Sequence, residues 1–105
     1  HVVINDPALT RRVGAALRKA IGVQTVVEMP AKMTSEDFAE YGRAGIPSVL
    51  LHIGAVNAVK LADSRRTGIP VPAPHSPEWL PDLEPTLKAA IRGEAVALLG
   101  LFNGD

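Results

Sequence analysis

Proline placement constrains the fold of this sequence more than any other feature. The 105-residue chain has nine prolines, and five of them lie between Gly54 and Pro81. Proline fixes φ at about −65° and has no backbone N–H, so neither a helix nor a central strand continues easily through such a stretch. The sequence therefore predicts a long loop here, either functional or partly disordered, with a short helix near residues 58–62.

A clear helix signal precedes this loop. Asp6 can cap free N–H groups, Pro7 is favoured at the first helical position, and Gly22 is a typical helix end. Between them, apolar residues recur at steps of three and four, which predicts one buried helical face. These apolar residues are Leu9, Val13, Ala16, Leu17 and Ala20.

Two further helices are predicted. Thr34 or Ser35 can cap a short second helix. Glu36 and Asp37 fall in its first turn, where the helix dipole favours acidic residues. Asp82 opens the last helix. Apolar spacing gives this last helix a long buried face, formed by Leu83, Leu87, Ile91, Ala95, Leu98, Leu99 and Phe102.

Three segments have the composition of strands. Val2-Val3-Ile4 and Gln24 to Glu28 are rich in β-branched residues. Ser48 to Ile53 is apolar except for His52, which is typical of a strand covered on both faces. The alternation of strands with helices predicts one α/β domain over residues 1–105, with a layered helix/sheet/helix architecture.

Charge and composition exclude several classes of function. Lys plus Arg and Asp plus Glu each number 11, so the formal net charge is zero. A nucleic-acid-binding domain usually carries a basic stripe, and the nearest feature here is the isolated pair Arg65-Arg66. The sequence has no cysteine for a disulfide, and no apolar run of about 18 residues for a membrane span. We expect a cytoplasmic protein that binds neither nucleic acid nor membranes.

His75 is the residue best placed for chemistry. It lies in the proline-broken run from Val71 to Pro77, which presents the imidazole on a stiff segment. A presented imidazole can bind a metal or carry a proton, although a histidine in such a loop is more commonly a solvated surface residue. His52 lies within an apolar segment, so we expect it to be a packed or edge residue with a backbone partner.

A second candidate is the Ser-Glu-Asp-Phe block that begins at Ser35. Helix capping and the helix dipole explain Glu36 and Asp37 without any chemistry. Adjacent residues on a helix point about 100° apart, so these two carboxylates cannot act as a paired acid and base on one substrate atom. At most one of them faces a site.

Together these two blocks resemble a known enzyme family. Asn5-Asp6-Pro7 precedes an amphipathic helix, the Ser-Glu-Asp-Phe block follows, an apolar segment ends at Gly54, and His75-Ser76-Pro77 precedes the terminal helix. In this order they resemble the C-terminal part of the metal-dependent amidohydrolases typified by hippurate hydrolase, auxin-conjugate hydrolases and N-acyl-amino-acid deacylases. The resemblance covers nearly the whole chain.

The resemblance implies an enzyme that hydrolyses the amide bond of N-acyl amino acids or short peptides. Two divalent metal ions, zinc or manganese, would activate the attacking water. By this resemblance His75 is the last metal ligand, and Ser35, Glu36 and Asp37 contact the substrate or support the residues that do. Residues 1–5 would be the end of a connection from a lid domain to the catalytic domain.

The remaining metal ligands and the general base lie upstream in that family, in segments that these 105 residues do not include. We therefore expect no catalytic residue in this chain, no stably bound metal and no activity of the chain alone. Surfaces left uncovered would favour self-association. The alternative is an autonomous, non-catalytic α/β module for binding or assembly, because 105 residues can fold independently. A serine hydrolase is disfavoured, since the sequence has no Gly-x-Ser-x-Gly pattern.

Overall fold

The structure is a computed structural model that describes residues 1–32 and 35–104. It contains four α-helices: α1 (Pro7–Ile21), α2 (Ala39–Arg43), α3 (Ala58–Thr67) and α4 (Leu83–Phe102). Within the described ranges there is no strand, so the predicted layered α/β fold is wrong and this protein is all-helical. None of the helices described is both long enough and apolar enough to cross a bilayer.

The chain divides into two compact units. The first comprises His1–Leu51 and the chain from Gly93 onward, so it contains α1, α2 and the C-terminal part of α4. The second is His52–Arg92, which contains α3, the proline-rich loop and the first part of α4. The two blocks singled out in the sequence therefore belong to different units, with Ser35, Glu36 and Asp37 in the first and His75 in the second.

α1 begins and ends where the sequence predicts. Asp6 Oδ1 accepts a hydrogen bond from Leu9 N at 2.7 Å, and Pro7 occupies the first turn, where a missing N–H costs nothing. The helix ends at Gly22, which has φ 95° and donates its N–H to Arg18 O at 3.0 Å. A side chain rarely adopts this positive φ, so glycine is the residue suited to the position.

The hydrophobic core of the described chain is small. Val13 and Leu17 on the inner face of α1 are 2% and 7% exposed, and Ala39 on α2 is also buried. All three residues belong to the first unit. The stability of this unit consequently depends on very few apolar side chains.

The short second helix begins later than predicted. α2 starts at Ala39, and its N-terminal flanking residue Phe38 makes no side-chain cap. Ser35 therefore does not cap the helix, while Thr34 lies outside the described residues. Glu36 and Asp37 precede the helix, and their carbonyls accept hydrogen bonds from the next turn. The predicted place of these two carboxylates in the first helical turn is thus wrong.

The predicted strands are replaced by other local structure. Thr25 N donates to Gly22 O at 3.2 Å, which makes a turn where Gln24 to Glu28 was expected to be extended. From Ser48 to Leu50 the backbone hydrogen-bonds to the Asn5 side chain and the Asp6 N–H instead of to a neighbouring strand. The Asn5 side chain donates to Leu50 O at 3.1 Å and accepts from Leu50 N at 2.8 Å, and Asp6 N donates to Ser48 O at 2.8 Å. A sheet needs a ladder of paired strands, and one amide side chain satisfies a single residue.

α3 confirms and extends the predicted short helix. The Asn57 side chain accepts from Lys60 N at 2.9 Å and caps the helix start. The helix runs ten residues and ends at Gly68, which adopts the left-handed conformation with φ 74°. A glycine in this conformation is the usual stop signal of a helix.

α4 is confirmed as a helix, but the burial predicted for its apolar face is wrong. The exposed residues of this face are Leu83, Leu87, Ile91, Ala95, Leu98, Leu99 and Phe102. Periodic spacing places these residues along the helix as expected. Burial additionally requires a packing partner, which spacing along one helix cannot supply.

Gly100 allows α4 to approach α1 closely within the first unit. A Cβ added at Gly100 would lie 2.9 Å from Ala16 Cβ, closer than two non-bonded carbon atoms pack. Nearby, Arg12 Nη2 donates to the carbonyl of Leu101 at 3.4 Å. A larger residue at position 100 would therefore force the two helices to shift.

We predict that Gly100→Ala lowers the free energy of unfolding by about 1–3 kcal/mol, the usual cost of an overpacked contact. This cost should outweigh the gain of about 1 kcal/mol in helix propensity. Gly42→Ala is the matched control, because a Cβ there meets nothing within 4 Å, and we expect it to be neutral or stabilising. Urea unfolding followed by circular dichroism compares the two variants. Equal effects would contradict the close contact.

Candidate functional site

His75 lies at the corner of a tight turn in the second unit. Ser76 N donates to Ala73 O at 3.0 Å, which closes a four-residue turn with Pro74 and His75 at its centre. His75 has φ 71°. Proline at the second position and a positive φ at the third are the features of a type II turn, in which glycine or asparagine normally takes the third position.

A second turn, from Ser76 to Trp79, follows His75 directly in the chain. Trp79 N donates to Ser76 O at 3.0 Å, and Glu78 N donates to Ser76 Oγ at 3.2 Å. His75 itself is exposed. Two consecutive turns built on prolines thus present its side chain to solvent, as the sequence predicts.

The backbone of His75 has an unusual conformation. In the described part of the chain it is the one residue other than glycine with a positive φ. The left-handed conformation costs an L-residue about 1–2 kcal/mol relative to the right-handed one. Such outliers cluster at functional sites, so this geometry motivates a functional hypothesis for His75.

This conformation predicts how the loop tolerates substitution. We expect His75→Val to lower the free energy of unfolding by about 1–2 kcal/mol more than His75→Gly, because a β-branched residue resists positive φ and glycine does not. Thermal and urea unfolding of the two variants measure the difference. If valine and glycine proved equivalent, the positive φ at this position would be disproved.

The Ser-Glu-Asp-Phe block lines a solvent-open cleft in the first unit. The cleft has a volume of about 350 Å³ and is bordered by His1, Ser35, Glu36, Asp37 and Phe38. Ser35, Glu36 and Asp37 are all exposed. The three predicted substrate-contacting residues therefore do lie around one cleft, although Ser35 and the two carboxylates do not have the helical positions predicted for them.

His1 and α2 supply neighbours of this cleft that sequence reasoning missed. Arg43 Nη1 lies 2.5 Å from His1 Nε2, and Glu40 Oε1 lies 3.5 Å from the same nitrogen. Glu40 and Arg43 also pair with each other across one turn of α2, at 3.3 Å. No local signal connects residue 1 with residues 40 and 43, because the contact depends on how the chain folds back.

The described residues do not make a metal site by themselves. Residues 1–32 and 35–104 contain no group of three or more His, Asp or Glu side chains arranged to hold an ion. A catalytic zinc needs about three protein ligands, and His75 supplies one. His52 is exposed and lies in no strand, so the expectation that it is a packed or edge residue of a strand is wrong. The fit of two divalent metals to these residues alone is therefore poor.

Asp82 connects the end of the proline-rich loop to the start of α3 within the second unit. Its Oδ2 accepts from Asn57 N at 2.7 Å, and its Oδ1 lies 2.5 Å from Lys60 Nζ. Its backbone N donates to Ala55 O at 2.9 Å. We call these contacts of Asp82 with Ala55, Asn57 and Lys60 the Asp82 clasp.

The clasp stabilises the ionised form of Asp82. The side chain is 17% exposed, so it is partly shielded from water. The hydrogen bond from Lys60, followed by that from the Asn57 N–H, lowers the pKa of Asp82 below the ordinary value of 3.8 for an aspartate, against a smaller opposing effect of desolvation. The sequence marks Asp82 as a helix start, but Lys60 lies 22 residues away and carries no signal of this pairing.

This lowered pKa gives the clasp a defined pH dependence. A group with a depressed folded-state pKa stabilises the fold fully above its unfolded pKa, and the contribution disappears as pH falls through the folded value. We therefore predict that the clasp is complete at pH 7 and that its contribution to stability is lost as the pH falls below about 3.8, the ordinary pKa of an aspartate.

Urea unfolding at pH 7 and pH 3 measures this loss. Asp82→Asn should reduce the acid-induced loss of stability, while Asp63→Asn, which breaks a surface pair with Arg66 inside α3, is the matched control. An acid response in Asp82→Asn identical to that of the unsubstituted protein would contradict the prediction.

Comparison of the chain with protein-family models, with curated proteins and with solved structures finds no match in any of the three.

Proposed function

We propose that this chain is the C-terminal part of a metal-dependent amidohydrolase of the hippurate-hydrolase type, and that it contributes one metal ligand, His75. The observation that supports this most is the conformation of His75. The residue to which the sequence resemblance assigns the metal is held at φ 71° and exposed to solvent. A strained, exposed histidine in a turn stiffened by prolines is a reasonable donor for an ion.

The proposal assigns this chain a limited role. His75 would offer one imidazole nitrogen to a divalent ion, zinc or manganese, and the ion would supply an activated water in the complete enzyme. The other ligands and the general base would come from polypeptide outside these 105 residues. The proposal consequently places no chemical step on this chain and expects it to be inactive alone.

The cleft around Ser35, Glu36 and Asp37 is proposed as the part of the chain that contacts substrate. Its polar side chains could bind the polar groups of an N-acyl amino acid or a short peptide. The cleft and His75 belong to different units, and the assignment of each rests on its own unit. We propose the cytoplasm as the compartment of this protein.

Exposed apolar residues favour an incomplete domain over an autonomous binding module. A complete small domain buries most of its large apolar side chains, and exposed apolar patches on a monomer usually mark a surface that is normally covered. In this protein the apolar face of α4 is exposed, and the buried apolar residues described are Val13, Leu17 and Ala39.

Sedimentation velocity at several concentrations tests this distinction. A domain that lacks its covering surface should self-associate as concentration rises. An autonomous module should remain a monomer, and that result would favour the binding or assembly function over the amidohydrolase.

The enzymatic proposal is tested on the gene product that includes any reading frame upstream of His1. We expect it to hydrolyse benzoyl or acetyl amino acids in the presence of zinc or manganese, and to lose this activity after treatment with a chelator. The 105-residue chain alone is the matched control and should be inactive. Absence of hydrolysis with every combination of metal and substrate would overturn the proposal.

A further inference from the structure

We propose that Asp82 is a positioning residue for His75, because the Asp82 clasp fixes the base of the loop that carries it. This inference rests on the proposed function in one respect, the role of His75 as a metal ligand. Asp82 touches neither a metal nor a substrate in this proposal. It acts through the loop between Gly68 and Asp82.

The Asp82 clasp lies where this loop returns to the start of α3. α3 leads away from Asn57 and ends at Thr67, and the loop then brings the chain back to Asp82 at the start of α4. The clasp joins this returning end to Ala55, Asn57 and Lys60, which stand immediately before and within the first turn of α3. Asn57 and Asp82 are 25 positions apart in the sequence, so the contacts of Asp82 close this segment at its base.

The middle of the loop has few other anchors. In the described chain, the hydrogen bonds of residues 70–81 are the two turns around His75 and Trp79, which are internal to the loop. At its other end, Ser64 Oγ donates to Ile69 O at 2.6 Å. The hydrogen bonds that join this loop to α3 therefore lie at its two ends, and the charged one is at Asp82.

The charges around Asp82 favour this role at neutral pH. Lys60 on α3 is the charged group that contacts the Asp82 carboxylate, and the Asn57 N–H points to it from the helix N-terminus. The other charged pairs of these two helices are engaged with each other: Asp63 with Arg66 on α3, and Glu84 with Lys88 on α4. A closed clasp therefore depends on the charge of Asp82 and on Lys60.

NMR on the 15N-labelled chain tests the proposal without any metal. We compare the unsubstituted protein with Asp82→Ala, which removes the carboxylate, and Asp82→Asn, whose amide oxygen can still accept from the Asn57 N–H. Asp63→Asn is the matched control, because it removes a surface carboxylate of α3 outside the clasp. The readouts are the solvent-exchange rates of the Ser76 and Trp79 amides and the {1H}-15N NOE of His75.

With Asp82→Ala we expect the Ser76 and Trp79 amides to exchange about tenfold faster, since local opening governs their protection. Asp82→Asn should restore part of this protection, and Asp63→Asn should match the unsubstituted protein. In the unsubstituted protein the NOE of His75 should fall when Asp82 is protonated, and in Asp82→Asn this pH step should be absent. A general loss of stability would not by itself abolish a pH-dependent change in the NOE of His75 that is confined to the loop.

Unchanged exchange and NOE values in Asp82→Ala would overturn the proposal. If Asp82→Ala fails to fold, as judged from the amides of α1, Lys60→Met decides the matter. It keeps the Asn57 hydrogen bond and removes the ammonium group. Faster exchange at Ser76 and Trp79 in Lys60→Met supports the clasp, and unchanged exchange refutes it.

The same variants separate this inference from the proposed function. Asp82→Ala could loosen the loop while the metal content of the full gene product does not depend on His75. That result would keep the clasp as a loop anchor and remove the amidohydrolase assignment. If the metal content depended on His75 but not on Asp82, the amidohydrolase assignment would stand and the positioning role of Asp82 would be removed.

Discussion

Replacing Leu17 by alanine should lower the free energy of unfolding by about 2–5 kcal/mol, the usual cost of a buried Leu→Ala substitution. Leu17 is 7% exposed and is one of the few buried apolar residues described in the first unit. Natural domains are stable by only about 5–15 kcal/mol, so a loss of this size is a large share of the total. We expect the variant to unfold at much lower urea concentration, or to be unfolded in buffer.

Leu98→Ala is the matched control for this prediction. Leu98 is the same residue type in the same unit, but it lies on the exposed face of α4 and is 53% exposed. Its truncation should change the free energy of unfolding by no more than about 0.5 kcal/mol. If the two alanine variants lost equal stability, the distinction between a buried α1 face and an exposed α4 face would be wrong.

Under the proposed function, replacing His75 by alanine should reduce hydrolysis by the complete gene product at least about 100-fold, because even residues that only support a metal ligand cost 10–100-fold when they are changed. The same variant should lose bound zinc or manganese when metal content is measured after dialysis. In the 105-residue chain alone, the substitution should change neither quantity, since one histidine is too few ligands for a catalytic metal.

His52→Ala provides the control for this second prediction. His52 is also an exposed histidine of the second unit, and the resemblance gives it no metal role. Its loss should leave activity and metal content unchanged. A fully active, metal-replete His75→Ala enzyme would remove the basis of the amidohydrolase proposal.

The ends of α1 were the part of the fold most accessible to prediction, because Asp6, Pro7 and Gly22 mark them as expected. These signals work because capping and positive φ depend on atoms within a few residues along the chain. The prolines between Gly54 and Pro81 likewise predict the loop that carries His75. The bounds of the other short helices were less accessible: α2 begins later than predicted, and α3 runs to Thr67, beyond the predicted residues 58–62.

Strand predictions failed for a different reason. The apolar composition of Ser48 to Ile53 suits a strand, but a strand exists only when a partner backbone lies beside it. In this protein the Asn5 side chain takes both backbone groups of Leu50, a contact between residues 45 positions apart. Composition describes one side of such a pairing and says nothing of the other.

The candidate site shows the same division. Sequence reasoning selected His75 and the residues of the cleft at Ser35, Glu36 and Asp37, because their types and order resemble a known family. It found neither the strained conformation of His75 nor the neighbours His1 and Arg43 of that cleft. It also treated Asp82 only as a helix start, without its pairing to Lys60.

By itself, the sequence determined where helices can begin and end, where the prolines stop them, and which side chains could serve chemistry. The tertiary structure alone decided that no sheet forms among the described residues, that the apolar face of α4 is exposed, and that Asp82 is joined to Lys60. The first group of features follows from interactions between near neighbours in the chain. The second depends on groups far apart in sequence, whose meeting is governed by the free energy of the whole packed arrangement and not by any local pattern.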